Sequence, residues 1–249
     1  MAAISSTILA ELQQLLGADR VLTDPDSLTH YGCDWTRVYS PDPAAILLPG
    51  SIEEVQAIVR LAAREQLALV PSGGRTGLSA GAVARNGELV LALDRLNHIE
   101  DFNPVDRTVR CGAGVITEQL QVFAEQQGLF YPVDFASSGS SQIGGNISTN
   151  AGGIKVIRHG MTRDWVAGLK LVNGEGELLD LNRGLVKNNA GYDLRQLVIG
   201  AEGTLGVVVE ATMRLSRPPQ ELVVLVLGAP DMAAIMQVLG AYQGAMELS

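Results

Sequence analysis

The sequence predicts an α+β fold with a mixed sheet, made of two α/β units in succession. Three features of the 249 residues carry this prediction. The run AAILLP (44–49) is continuously apolar, a helical pattern follows it, and a second apolar run, LALV (67–70), comes next. That order is a strand–helix–strand unit with parallel pairing. ELVLALD (88–94), a return through 97–114 and the helix ITEQLQVFAEQQG (116–128) make a second unit. WVAGLKLVNGEGELLDL (165–181) then reads as two strands joined by a turn, and LGVVVEATMRL (205–215) as another long strand with β-branched residues, an arrangement that fits a mixed sheet better than a doubly wound Rossmann sheet.

The elements follow in order. MAAISSTILAELQQLLGADR is an amphipathic helix with Ile4, Ile8, Leu12 and Leu15 or Leu16 on one face. It has no basic segment before Arg20, which argues against a secretory or transit peptide. VLTDPDSLTHYGCDWTRVYSPDP, with three prolines and little periodicity, reads as a surface arm. The helix after 44–49 opens on a capping box, Ser51 with Glu54, and turns Val55, Ile58, Val59 and Ala62 inward. Asn173-Gly174 marks a two-residue hairpin turn. Pro218-Pro219 marks a boundary, and the apolar stretch 222–240 is broken by Gly228, Pro230 and Asp231 into a strand and a helix, not a membrane span. The expected organisation is an N-terminal helix and arm (1–40), a central domain (41–218) and the beginning of a further domain (219–249), cut short or completed by another chain.

Composition narrows the function. A net charge of −9 leaves no basic face for phosphate neutralisation, and 4% aromatic residues leave no stacking platform, so nucleic acid is not an expected partner. Cys33 and Cys111 are far apart and form no C-x-x-C pair, which fits two structural thiols in a reducing compartment. The histidines His30, His98 and His159 show no metal-ligand spacing, so no metal is expected, and His98 reads as structural.

Glycine is the informative residue. Segment 73–81 holds four, 138–153 five and 200–206 three of the chain's 28 glycines, each cluster at a strand end. Glycine in regular structure costs about 0.5–1 kcal/mol relative to alanine, so clusters like these point to one extended ligand laid against bare backbone. In PSGGRTG, Pro71, Ser72, Gly73, Gly74, Arg75, Thr76 and Gly77 suit an anion such as phosphate, although neither the P-loop nor the G-x-G-x-x-G spacing is present. The middle cluster interleaves Ser137, Ser138, Asn146, Thr149 and Asn150 with Gly144, Gly145, Gly152 and Gly153 and offers many neutral hydrogen bonds. Ile143 and Ile147 mark it as packed rather than freely solvated.

PSGGRTGLSAGA, SSQIGGNISTNAGGIKVIRHGMTRD and KNNAGYDLRQLVIGAEGTLGVVVEATMRL, in this order, resemble the FAD-binding (PCMH-type) domain of the vanillyl-alcohol oxidase / p-cresol methylhydroxylase family. Within it the resemblance is closest to the D-2-hydroxyacid dehydrogenases acting on D-lactate, glycolate or D-2-hydroxyglutarate. The resemblance covers residues 41–218 and implies two α/β subdomains around FAD. It implies that Ser72 to Gly77, after Pro71, wrap the pyrophosphate. Pro132, Asp134, Ser137, Ser138, Gly144, Gly145, Asn146, Thr149 and Asn150 would lie along the isoalloxazine and ribityl part. Gly152, Gly153, His159, Gly160 and Arg163 would follow that face, and Glu202, Gly203, Gly206 and Val207 would border the adenosine end.

Some relatives hold FAD covalently through a histidine in the first glycine loop; here Arg75 stands in that neighbourhood, which implies a noncovalent flavin and a cation facing the pyrophosphate. The implied reaction is oxidation of a D-2-hydroxy acid by hydride transfer to flavin N5, with electrons passed on to a quinone, a cytochrome or an electron-transfer flavoprotein. The implied catalytic base and metal ligands lie beyond residue 249, so the chain alone is expected to be nearly inactive. The location expected is the cytoplasm, or the inner membrane's periphery, with an oligomer or partner subunit compatible. Two other readings stay open: a flavin-carrying subunit that needs a partner chain, and an enzyme resembling UDP-N-acetylenolpyruvylglucosamine reductase on the same fold.

Overall fold

The computed structural model describes residues 4–185, 187–220 and 223–245. Helix α1 (Ser6–Leu16) begins where Ser5 caps the amide of Ile8, and it buries Leu12 and Leu16. Strand β1 (Val21–Leu22) follows a short 3-10 turn, and α2 spans Pro25–Gly32. Next come β2 (Ala45–Leu47), α3 (Ile52–Glu65), β3 (Leu69–Ser72) and β4 (Leu89–Ala92). These strands form one mixed sheet in the order β1-β2-β4-β3, with β1 antiparallel and the rest parallel. The strand–helix–strand unit is therefore present, but β4 is inserted between β2 and β3.

The expected surface arm is in part a helix with a core to cover. Ile46, Val90 and Ala92 point to the face of the sheet opposite α1 and α3, and Leu28 and Tyr31 of α2 pack over them. A parallel sheet is apolar on both faces and has to be covered on both, and Asp24 starts the covering helix by accepting from Ser27 N, with Pro25 at its first position. The capping box of α3 forms by half. Ser51 accepts from Glu54 N at 3.2 Å, but the Glu54 carboxylate turns to Gly50 N (2.7 Å) and to the Arg20 guanidinium.

The second sheet contains β5 (Ile99–Asn103), β6 (Thr108–Gly112), β7 (Val166–Val172), β8 (Leu178–Leu181) and β9 (Val207–Arg214), all antiparallel in the order β5-β6-β9-β7-β8. Its helices are α4 (Thr117–Gln126), α5 (Ile143–Thr149), α6 (Val156–His159), α7 (Thr162–Trp165) and α8 (Arg195–Val198). The hairpin β7–β8 turns through five residues rather than Asn173-Gly174 alone. Asn173 N donates to Glu177 O, its side chain accepts from Glu175 N and Glu177 N, and Gly176 takes the left-handed position. The Gly176 carbonyl accepts from Gln56 and Arg60 of α3, both at 2.9 Å, which ties the two sheets' subdomains together.

After β9 the expected strand is absent among the described residues. Residues 223–229 have no ladder partner and are exposed, since a strand exists only by pairing; residues 221 and 222 of that stretch lie outside the description. Helix α9 (Met232–Ala245) follows and buries no residue. No helix among the described residues is long and apolar enough to cross a membrane.

Candidate cofactor-binding cleft

The three glycine segments converge. The first leaves the end of β3 at Ser72, at the edge of the first sheet. The second is not a loop. It folds as α5, and Ile143 and Ile147, both fully buried, are the reason: one apolar face held by the core outweighs the glycines' poor helix propensity. Ile143 N donates to Val115 O and Gly144 N to Ala113 O, so the helix start rests on the end of β6. At Gly144 a Cβ would lie 2.7 Å from the Ala113 Cβ, which is why this position carries none. A buried chain of hydrogen bonds, Asn146 to Thr117 Oγ1 and Thr117 to Ser141 Oγ, both 2.7 Å, fixes the helix against α4. The third segment hangs from the end of α5, with Gly200 N on Ile147 O and Glu202 N on Ser148 O (2.8 Å), and its Gly203 stands beside Pro71.

Between them lies a cleft of about 550 Å³. Its wall includes Pro71, Ser72, Gly73, Gly74, Arg75, Thr76 and Gly77 of the first segment. It includes Ser137, Gly144, Gly145, Asn146, Thr149, Asn150 and Gly152 of the second, and Glu202, Gly203 and Gly206 of the third. The cleft's wall does not include Pro132, Asp134, Ser138, Gly153, His159, Gly160, Arg163 or Val207. Asp134 pairs with Lys155 at 3.0 Å, and the Asp134 carbonyl group lies against Gly153 where a Cβ would fall. His159 sits between the rings of Phe130 and Trp165, and Gly160 packs on Asp164. Arg163 spans α7 to α8, donating to Gln196 Oε1 (2.8 Å) and Ile199 O (3.2 Å). Neighbours on a strand face opposite ways, so Val208 rather than Val207 reaches the cleft. Sequence reasoning also missed Gln142 and Phe135 in the wall; Gln142, adjacent to the glycine pair, carried a readable signal.

Arg75 lines the cleft and is also paired within the chain. Its guanidinium is held by Asp94 (3.1 and 3.3 Å), donates to Gly73 O and lies 4.7 Å from the Tyr31 ring centroid. The cation is answered inside the protein and braces the loop, leaving backbone amides to face a ligand. Among the described residues the wall's only ionisable side chains are Arg75 and Glu202.

The wall fits FAD on two observations. Ser72 Oγ and Gln142 Oε1 are buried beside the cleft without a partner among the described residues, and buried polar groups left unpaired are rare in folded proteins. The Gln142 amide nitrogen faces the acceptor-only carboxylate of Asp94 at 3.2 Å, so its oxygen is the free end. At Gly77 and Gly145, moreover, a Cβ would meet no atom of the described residues within 4 Å beyond its own local backbone. The packing of the described residues does not require glycine at these two positions, and both border the cleft.

A second cluster lies away from the cleft. His98 and Glu100 lie two residues apart and Glu210 lies 112 residues beyond His98, so no sequence spacing reveals the cluster, yet each brings one ligand atom within 4.8 Å of the others. Lys170 (2.8 Å), Arg110 and His98 (3.3 Å) surround the buried Glu210, so the cluster is an ion-pair network. Burial alone would raise the Glu210 pKa, but Lys170 and then Arg110 and His98 hold it below its ordinary 4.5. A depressed carboxylate contributes stability above that value and loses it as the pH falls through the folded pKa. Glu210→Gln is expected to cost about 1.5–3 kcal/mol at neutral pH, the worth of hydrogen bonds to a charged group. Urea unfolding should show the difference from wild type shrinking below pH 4.5; a pH-independent difference would mean that packing, not charge, is lost. Beneath the sheet, burial and then the Glu210 charge push the free Cys111 thiol up to about 12.

Two sheets with a glycine-walled cleft between them define a PCMH-type FAD-binding domain, and the chain belongs to the FAD binding domain family, which matches residues 43–182. Over 242 residues it is 64% identical to the D-2-hydroxyglutarate dehydrogenase of Stutzerimonas stutzeri (strain A1501), covering 97% of this chain and 52% of that protein. The mitochondrial D-2-hydroxyglutarate dehydrogenase of Bos taurus is 37% identical over 234 residues, covering 94% of this chain and 43% of that one. The chain thus spans about half the length of these curated relatives. In fold it is similar to a solved p-cresol methylhydroxylase, with a TM-score of 0.78 at 18% identity, over 96% of this chain and 48% of the other.

Proposed function

We propose that this chain is the FAD-holding part of a D-2-hydroxyacid dehydrogenase whose substrate is D-2-hydroxyglutarate. The cleft carries the cofactor half of this reading: bare backbone is kept at Gly77 and Gly145, where only a ligand needs the space. The two relatives described above, both called D-2-hydroxyglutarate dehydrogenase, support the substrate. Bound FAD supplies the acceptor for the hydride equivalent leaving C2 of the hydroxy acid.

The chain's own residues bind and orient. Amides of the 72–77 loop face the anionic part of the cofactor, and the Asp94–Arg75 pair keeps that loop in place. Among the described residues the wall contains no imidazole, and its one cation, Arg75, is paired with Asp94; in this reading the proton acceptor and the cations for the substrate carboxylates come from groups outside it. Among the described residues no side chain of the wall is a histidine or cysteine, which favours a flavin held without a covalent bond. A cytoplasmic location, and a quinone, a cytochrome or an electron-transfer flavoprotein as electron acceptor, belong to the same reading.

The test is the visible spectrum of the purified protein before and after heat denaturation. Flavin bands that move wholly into the supernatant are expected, whereas colour that stays with the precipitate would overturn noncovalent binding. Anaerobic addition of D-2-hydroxyglutarate to the natural full-length protein should then bleach the flavin faster than D-lactate or glycolate. A faster response to either of those would displace the proposed substrate.

A further inference from the structure

The outer wall of the cleft is braced by a segment that precedes the family match at residue 43. Asp34 is a buried carboxylate, 2% exposed. Its Oδ1 accepts from Thr36 Oγ1 (2.7 Å), Thr36 N (3.0 Å) and Arg37 N (3.2 Å), closing a local turn. Its Oδ2 is left for one long-range bond, from Ala80 N at 3.0 Å. Around this bond the segment runs alongside the glycine loop: Trp35 N donates to Gly77 O and Ala84 N to Gly32 O.

The bond falls on a strained residue. Ala80 has φ 61, the left-handed region that residues with a Cβ avoid. Its neighbours Ser79 and Gly81 both belong to the cleft wall. An isolated loop would relax Ala80 into an ordinary conformation and turn those neighbours out of the wall. Burial alone would raise the Asp34 pKa, but Thr36 and the amides of Ala80, Arg37 and Thr36 hold it below the ordinary carboxylate value, so the acceptor is charged at neutral pH.

We propose that Asp34 is a positioning residue for cofactor binding, holding Ala80 in its left-handed conformation so that residues 76–82 keep the shape of the cleft's outer wall. The proposal rests on reading the cleft as the FAD site and adds a part that the matched domain does not contain.

The test is a double-mutant cycle on the apoprotein of the natural full-length chain, read as FAD affinity by quenching of flavin fluorescence. Asp34→Asn puts an amide donor or a weaker, uncharged acceptor opposite Ala80 N and should weaken FAD binding about tenfold, the worth of one charge-assisted bond. Ala80→Gly alone should change the affinity by less than about twofold, because glycine takes this conformation without strain. In the double variant the glycine should recover most of the loss, a rescue that a general packing defect at Asp34 would not give. Unchanged affinity in D34N, or a double variant as weak as D34N, overturns the proposal. A wild-type apoprotein that takes up no FAD overturns the reading of the cleft instead. Hydrogen exchange at the Ala80 amide of the wild-type protein needs no variant: FAD should slow it further, and an exchange rate indifferent to FAD counts against the proposal.

Discussion

Replacing Gly74 by alanine destabilises the apoprotein and removes most of its affinity for FAD. A Cβ at this position would press into the Ser140 carbonyl and stand 2.8 Å from the Ser141 Cα. Both obstacles are backbone, so no rotamer change relieves them. Nor is the opposing segment free to retreat. Ser140 N and Ser141 N both donate to Ser137 O, Ser141 O accepts from Thr117 N, and the next residue, Gln142, is the N-cap of α5. The strain therefore passes into the helix that forms the second wall. Overpacking of this kind costs about 1–3 kcal/mol, and contact with unyielding backbone places G74A at the upper end. Displacing two amides that face a charged oxygen, each worth about 1.5 kcal/mol, corresponds to an affinity loss of about 100-fold. Thermal unfolding of the apoprotein and an FAD titration measure the two effects separately. A G74A protein as stable as wild type and with unchanged affinity would show that the 73–74 turn does not pack on 140–141 as described.

Gly145→Ala is expected to separate stability from binding. Gly145 lies inside α5, and a Cβ there touches no described residue beyond the helix's own backbone. Alanine should stabilise the apoprotein by about 0.5–1 kcal/mol through the backbone alone. For a domain of this size that is a rise in Tm of about 1–4 °C. The added methyl group occupies cleft volume, however, so FAD affinity should fall by about tenfold or more, the penalty for about 1.4 kcal/mol of lost contact. A more stable protein with weaker FAD binding is the expected signature. If affinity stays at the wild-type value, Gly145 does not face the cofactor and the observation that carries the cofactor reading loses its force. Gly74 and Gly145 thus look alike in the sequence and differ in cause: the first is required by the protein's own backbone, the second by the space it leaves.

The sequence by itself determined the local elements. The apolar runs at 45–47 and 89–92, the Ser51-capped helix and the β-branched strands at 166–172 and 207–214 are each set by periodicity and capping within a few residues. It determined, too, that the glycines cluster and that a PCMH-type FAD-binding domain is the family they fit. Only the tertiary structure decided what each glycine is for. The middle cluster became helix α5 because Ile143 and Ile147 are buried by partners distant in sequence, and a propensity of about 1 kcal/mol per glycine yields to that packing. The proline-rich arm folded in part as α2 because the second face of the first sheet required a cover. Arg75 pairs with Asp94, and Glu210 meets His98 and Glu100 from a distant strand, because charges pair with what folding brings near them. The 223–229 segment, apolar enough for a strand, has no ladder partner among the described residues. Periodicity is a property of a segment and can be read from it. Close approach, burial and pairing are properties of two segments, and their outcome is fixed only when the chain has brought both together.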